Sequence, residues 1–106
     1  MSLLDYHVLL ALSSGPLHGY AIREAITADS GGTETPHAGN LYRVIARLIT
    51  LGWVKEARPG IQSEPHPGLA RRYYGLTEAG RATLASEALR LKAAAALAQR
   101  RLNTIR

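Results

Sequence analysis

The segment 37–54, HAGNLYRVIARLITLGWV, constrains the fold more than any other part of this chain. Apolar residues spaced three or four apart predict an amphipathic helix over about 37–51, with one side packed on a core. The apolar side is formed by Leu41, Ile45, Leu48 and Ile49. Gly52 predicts the end of this helix, because glycine tolerates the left-handed backbone that a helix C-terminus often needs. Alternation over 53–57 then predicts a strand.

The other side of the predicted helix carries groups suited to DNA. These polar residues are Asn40, Tyr42, Arg43, Arg47 and Thr50. Amide and guanidinium groups pair with base edges and phosphate oxygens, and no carboxylate is present on this side to repel a polyanion. We therefore expect the helix to read DNA, with His37 at its start also in contact. Asn40 and Arg43 are our choices for base contacts, and Tyr42 for a phosphate contact.

A second basic segment, RRYYGLTEAGR over 71–81, follows a loop that is rich in proline and glycine. It begins as a strand and leads into another helix, for which Thr77 is a good N-cap. Strand alternation directs Tyr74 inward and Tyr73 to the opposite face. Arg71 and Arg72 are expected to contact phosphates from this hairpin, or one of them to pair with Glu56 across it.

The N-terminal part supplies two more helices. Residues 3–13 are apolar nearly all round, the break at 14–16 contains glycine and proline, and a second helix is predicted over 18–29. The predicted fold class is therefore mainly α with a small β-hairpin. It is a winged helix-turn-helix in residues 1–76, followed by a long C-terminal helix in 77–106.

The last helix is too long and too rich in alanine to serve only the core of so small a domain. Its apolar residues alternate four and three apart, which is the spacing of a coiled-coil seam. The seam consists of Leu84, Ala88, Leu91, Ala95, Ala98 and Leu102. We expect it to join two subunits in a homodimer; the alternative is that the helix packs back on its own domain.

Composition excludes several other classes. The chain has 106 residues, no cysteine and a net charge of +5, and its basic excess lies after residue 36. No apolar run approaches the roughly 18–20 residues of a membrane span, so we expect a cytoplasmic protein without a membrane partner. His7, His18, His37 and His66 show no metal-ligand spacing and are expected at the surface or at helix ends. Carboxylates occur singly, so neither an enzyme nor a metal or cofactor site is expected.

Three blocks of the sequence resemble the short class of PadR-type transcriptional regulators. They are LLALSSGPLHGYAI (9–22), HAGNLYRVIARLITLGWV (37–54) and RRYYGLTEAGR (71–81). The resemblance implies a winged helix-turn-helix that dimerises through its last helix with help from its first. It also implies a repressor that a small-molecule effector or another signal releases from double-stranded operator DNA.

Two departures from the family pattern limit what can be carried over. Ala38 and Asn40 stand where proline and threonine often precede the Leu-Tyr pair, so a base preference does not transfer. No aromatic residue follows Tyr74, so a flat aromatic drug held between last helices is not expected.

A sequence-specific, dimeric DNA-binding regulator is the function that these observations favour. Winged helices also serve as protein–protein interaction modules, and the long helix could dock such a partner. A chain that binds only protein would not need the arginines of the predicted helix and hairpin, which favours DNA.

Overall fold

The computed structural model describes residues 1–58 and 72–104, which form four α-helices and three strands around one core. They follow the chain as α1 (Leu3–Ala11), β1 (Leu17–His18), α2 (Gly19–Asp29), α3 (Ala38–Thr50), β2 (Val54–Ala57), β3 (Tyr73–Leu76) and α4 (Glu78–Thr104). A single 3₁₀ turn over Leu12–Ser14 extends α1. The predicted fold class, mainly helical with a small sheet, is confirmed.

The predicted end of α3 at Gly52 is confirmed in detail. Gly52 has φ +80°, and its N–H donates to the carbonyl of Ile49 at 2.9 Å. The N–H of Trp53 reaches back to the carbonyl of Leu48 at 3.0 Å. These two bonds satisfy carbonyl groups that the last turn would otherwise leave open, and they direct the chain into β2.

The core is formed by buried residues from all three helices of the N-terminal part and from the sheet. Val8, Ile22 and Leu48 are completely buried in it. The predicted apolar side of α3 was wrong at one position: Ile49 is 39 % exposed, and Val44 is buried instead. Ile49 lies about 90° round the helix from the centre of the buried stripe, at its solvent edge.

The predicted hairpin is formed by β2 and β3, and β1 extends it to a three-stranded antiparallel sheet of order β1–β3–β2. Strand β1 was not predicted; it pairs Leu17 with Tyr74 and His18 with Tyr73. The outward position expected for Tyr73 was wrong, since only 9 % of it is exposed. The ring of His18 on the added strand covers it edge-on, at 5.5 Å between centroids.

The last helix begins as predicted at Thr77, whose Oγ1 accepts from the N–H of Gly80 at 2.9 Å. Its first turns pack on α1 and β3, and Leu84 lies against the core. Its later turns project from the domain, which makes the molecule 61 Å long and 27 Å wide. In the described part of the chain, no helix is long and apolar enough to cross a membrane.

Candidate nucleic-acid interface

Both helices of the helix-turn-helix begin at a histidine. The Nδ1 of His18 accepts from the N–H of Ala21, and the Nδ1 of His37 accepts from the N–H of Asn40, each at 3.2 Å. An imidazole that accepts at Nδ1 is neutral and carries its proton on Nε2. His37, which we predicted as a DNA contact, therefore caps α3 with one nitrogen and keeps its N–H free of that bond.

The exposed side of α3 is formed around Arg43, which lies opposite the buried stripe. Arg43 is exposed, and Tyr42 beside it is 50 % exposed. The Tyr42 phenol rests on the first turn of α2: a Cβ placed on Gly19 would lie 2.4 Å from the phenolic oxygen. The glycine thus allows the start of α2, Tyr42 and Arg43 to form one continuous surface.

The helical position of Arg47 predicted a side chain directed to DNA, but in the structure Arg47 contacts α1. Its Nη2 donates to Oδ1 of Asp5 on α1, and the two form an ion pair. Half of the Arg47 side chain is exposed, but only 2 % of the Asp5 side chain is. The sequence gives no local signal for this contact, because the two partners are 42 positions apart along the chain.

The Asp5 carboxylate is stabilised in its charged form. Burial alone raises the pKa of Asp5, but hydrogen bonds from Arg47 and from the backbone and hydroxyl of Ser2 outweigh it, so that the pKa lies below the ordinary 3.8. Ser2 and Asp5 also form a reciprocal capping box at the start of α1. A buried charge that is held from two sides fixes the geometry between α1 and α3.

The hairpin of β2 and β3, which is the wing of the winged helix, carries more cations than the two arginines predicted for it. Arg72 is exposed, and its Nε lies 3.6 Å from Oε1 of Glu56 across the hairpin. Lys55 and Arg58, which were not singled out, are exposed on and beside β2. Arg71 lies outside the described residues. A loose exposed pair such as Arg72–Glu56 is easily exchanged for a phosphate contact.

Burial of the predicted dimer seam changes along α4. Leu84, Ala88 and Leu91 are half-buried, with Leu84 packed against the core, whereas Ala95, Ala98 and Leu102 are exposed. The exposed fraction of Leu102 is 70 %. Two leucines that the seam did not include are also exposed, Leu89 at 69 % and Leu97 at 38 %. Exposed apolar side chains therefore lie on both sides of α4.

Among residues 1–58 and 72–104, no cluster of three or more histidine or carboxylate side chains could hold a metal ion. His18 and His37 lie at helix ends, as expected. The expectation for His7 was wrong, because only 9 % of this residue is exposed. His66 lies outside the described residues.

This arrangement of helix-turn-helix, wing and long last helix has a counterpart among known protein families. Residues 8–86 match the transcriptional regulator PadR-like family. The chain belongs to this family. PadR-like proteins are transcriptional regulators and not enzymes.

One curated relative and two solved structures illustrate the likeness. An uncharacterised 37.1 kDa transposon protein of Streptomyces fradiae is 43 % identical over 81 residues, which are 76 % of this chain. The chain spans only 21 % of the length of that relative. A PadR family regulator from Clostridium difficile superposes with a TM-score of 0.76 at 20 % identity, over 95 % of this chain and 99 % of that one.

The second structure is Bacillus subtilis PadR, which was solved in complex with operator DNA. It superposes with a TM-score of 0.64 at 22 % identity, and the match covers 80 % of this chain and 46 % of that one. At these identities the two structures establish the shared winged-helix fold, with its long last helix, for this PadR-like chain.

Proposed function

We propose that this PadR-like protein is a dimeric, sequence-specific DNA-binding repressor. The observation that carries the proposal is the surface formed by α3 and the start of α2. It presents Arg43, Tyr42 and the first turns of two helices, and α3 itself contains no carboxylate. The operator-DNA complex of Bacillus subtilis PadR supports the same use of this fold.

In the proposed complex, α3 enters the major groove. Asn40 and Arg43 reach base edges, because amide and guanidinium groups can pair with adenine and guanine at two points. Tyr42 and His37 contact the sugar-phosphate backbone beside the first turn of α3. Arg71 and Arg72 of the wing, with Lys55 nearby, contact phosphates and add affinity without reading sequence.

Duplexes selected from a random-sequence pool by the protein test this function directly. We expect one preferred sequence, made of two half-sites about one helical turn apart. Replacing Arg43 by alanine should relax the preference at one base position, at a cost of about 1–3 kcal/mol. A protein that enriches no sequence would contradict the proposal. Equal weakening on all duplexes would make Arg43 a phosphate contact instead.

The dimer is proposed to form through the projecting half of α4, with α1 beside it. Two leucines of equal exposure make a matched test: Leu102 lies on the predicted seam at 70 % exposed, and Leu89 lies on the opposite side at 69 %. Leu102→Glu should give a folded monomer in light scattering, because a charge buried at a seam has no partner. Leu89→Glu should leave the dimer intact. The reverse result would move the interface to the Leu89 side.

Repression and its release by a small-molecule effector or another signal follow from the family resemblance. A reporter gene placed behind the selected duplex tests the first part. We expect expression of the protein to lower reporter output and Arg43→Ala to restore it. Raised output in the presence of the protein would show an activator.

A further inference from the structure

The ion pair between Asp5 and Arg47 joins α3, the helix proposed to read DNA and here called the reading helix, to α1. Arg47 lies in the second half of α3, next to the completely buried Leu48. Asp5 lies in the first turn of α1, one turn before the completely buried Val8. The pair therefore lies at the edge of the contact between the two helices, where it sets how α3 is turned against α1.

The carboxylate has little freedom to move. Its Oδ2 accepts from the N–H of Ser2 at 3.1 Å, while Oδ1 accepts from Arg47. Helix α1 in turn packs along the first turns of α4. A continuous set of contacts thus runs from α3 through Asp5 and α1 to the helix that carries the predicted dimer seam.

We propose that Arg47 is a positioning residue for DNA reading, which through Asp5 sets the angle between the reading helix α3 and the dimerising part of the molecule. The proposal rests on the proposed function, since it requires a dimer that binds two half-sites. Arg47 then contributes to affinity without contacting a phosphate. The negative charge of Asp5 would by itself repel DNA. Asp5 nevertheless favours DNA binding, because it holds Arg47 and with it α3 in place.

The physical reason is geometric, since binding to two half-sites fixes the relative position of the two reading helices. Both reading helices must reach their grooves at once, and side chains at a recognition site have to be held within about 0.5 Å. When the angle of α3 against the rest of the dimer is loose, each helix can still find one half-site by itself. Simultaneous binding is then weakened more than single binding.

The test compares two duplexes, the two-half-site sequence selected by the parent protein and the same sequence cut to one half-site. Fluorescence anisotropy over a salt series measures the DNA affinity of Asp5→Asn and Arg47→Gln. It also gives the salt slope, which is the slope of log affinity against log salt concentration. We expect each variant to bind the one-site duplex less than about twofold more weakly and the two-site duplex about tenfold more weakly, which exceeds the square of the one-site loss that two independent half-sites would give. The salt slopes should stay at the parent value, because no phosphate contact is lost.

A phosphate contact by Arg47 would give a different pattern. Arg47→Gln would then flatten the salt slope by about one, and Asp5→Asn would bind as tightly as the parent or more tightly, since it frees a cation. That result would overturn the inference. A two-site loss no larger than the square of the one-site loss would also overturn it, because each subunit would then lose affinity by itself.

Arg43→Gln serves as the matched control, since it removes the same charge one helical turn away on the exposed side. It should weaken binding to both duplexes. This result distinguishes the loss of a DNA contact from the loss of the correct position of α3. If a single variant fails to fold, Arg47→Lys keeps the charge at the Asp5 carboxylate, and Asp5→Asn with Arg47→Gln leaves no buried charge. The double variant must show the selective two-site loss, whereas Arg47→Lys, which keeps the pair, should retain most of the two-site affinity. A parent protein that selects no duplex would refute the proposed function itself.

Discussion

Replacing Gly80 by alanine should destabilise the protein, although alanine is the better helix former. Gly80 lies in the first turn of α4, directly against the backbone of Trp53. A Cβ built on it would lie 1.9 Å from the Trp53 carbonyl oxygen and 2.8 Å from its carbonyl carbon, where real Cβ atoms stay beyond 3.0 Å. Because both groups belong to the backbone, no side chain can turn aside to relieve the contact.

The magnitude follows from what has to move. Helix α4 must retreat by about 1 Å, which corresponds to an overpacking cost of roughly 1–3 kcal/mol. The hydrogen bond from the Thr77 N–H to the Trp53 carbonyl, 3.1 Å long, is lost with it and adds about 1 kcal/mol. The higher helix propensity of alanine offsets about 1 kcal/mol of this loss of stability. The net loss is about 1–3 kcal/mol, or a fall in Tm of about 5–20 °C.

Thermal unfolding followed by circular dichroism measures this change, at one protein concentration because a dimer makes Tm concentration-dependent. Gly39→Ala is the matched control, since a Cβ there has no neighbour closer than 3.8 Å. It should raise stability by up to about 1 kcal/mol. A Gly80→Ala protein that melts at or above the parent Tm would refute the close contact.

Three further predictions concern charge and backbone. Arg72→Ala should change the free energy of unfolding little, because its ion pair is exposed. It should lower the salt slope of DNA binding by about one, and an unchanged slope would show that Arg72 does not contact DNA. Since the folded-state pKa of Asp5 is lowered, its contribution to stability is complete above the ordinary value of 3.8 and is lost as pH falls through the lowered value. Urea unfolding between about pH 6 and pH 3 should therefore show a smaller loss on acidification for Asp5→Asn than for the parent. Gly52→Ala should destabilise by about 1 kcal/mol or more in urea unfolding, because φ is +80° there, whereas Gly52→Asn should be milder.

The elements that could be predicted from the sequence are those with local signals. The buried stripe of α3 repeats within two turns, Gly52 marks its end, and Thr77 marks the next helix start. Each signal lies within a few residues of the feature that it specifies. For the same reason, the exposed position of Arg43 could be predicted from helical spacing alone.

The features that escaped prediction depend on contacts between distant parts of the chain. β1 has only two residues and no strand pattern, and it exists because β3 offers it a free edge. The burial of Tyr73 follows from that added strand. The Asp5–Arg47 pair joins two helices, and the spacing within either helix does not indicate which of its polar residues meets the other helix. Periodicity shows which side of a helix is polar, but not which polar group finds a partner.

The two histidine caps have an electrostatic consequence at the surface proposed to face DNA. Aligned peptide dipoles leave about half a positive charge at the start of a helix, and an acidic residue there normally neutralises it. Helices α1 and α4 follow this rule with Asp5 and Glu78, whereas α2 and α3 have no acidic residue in their first turns. A neutral imidazole completes the hydrogen bonding of these two helices without cancelling their fields. An aspartate at position 37 would strengthen the cap and place a negative charge where a phosphate has to approach.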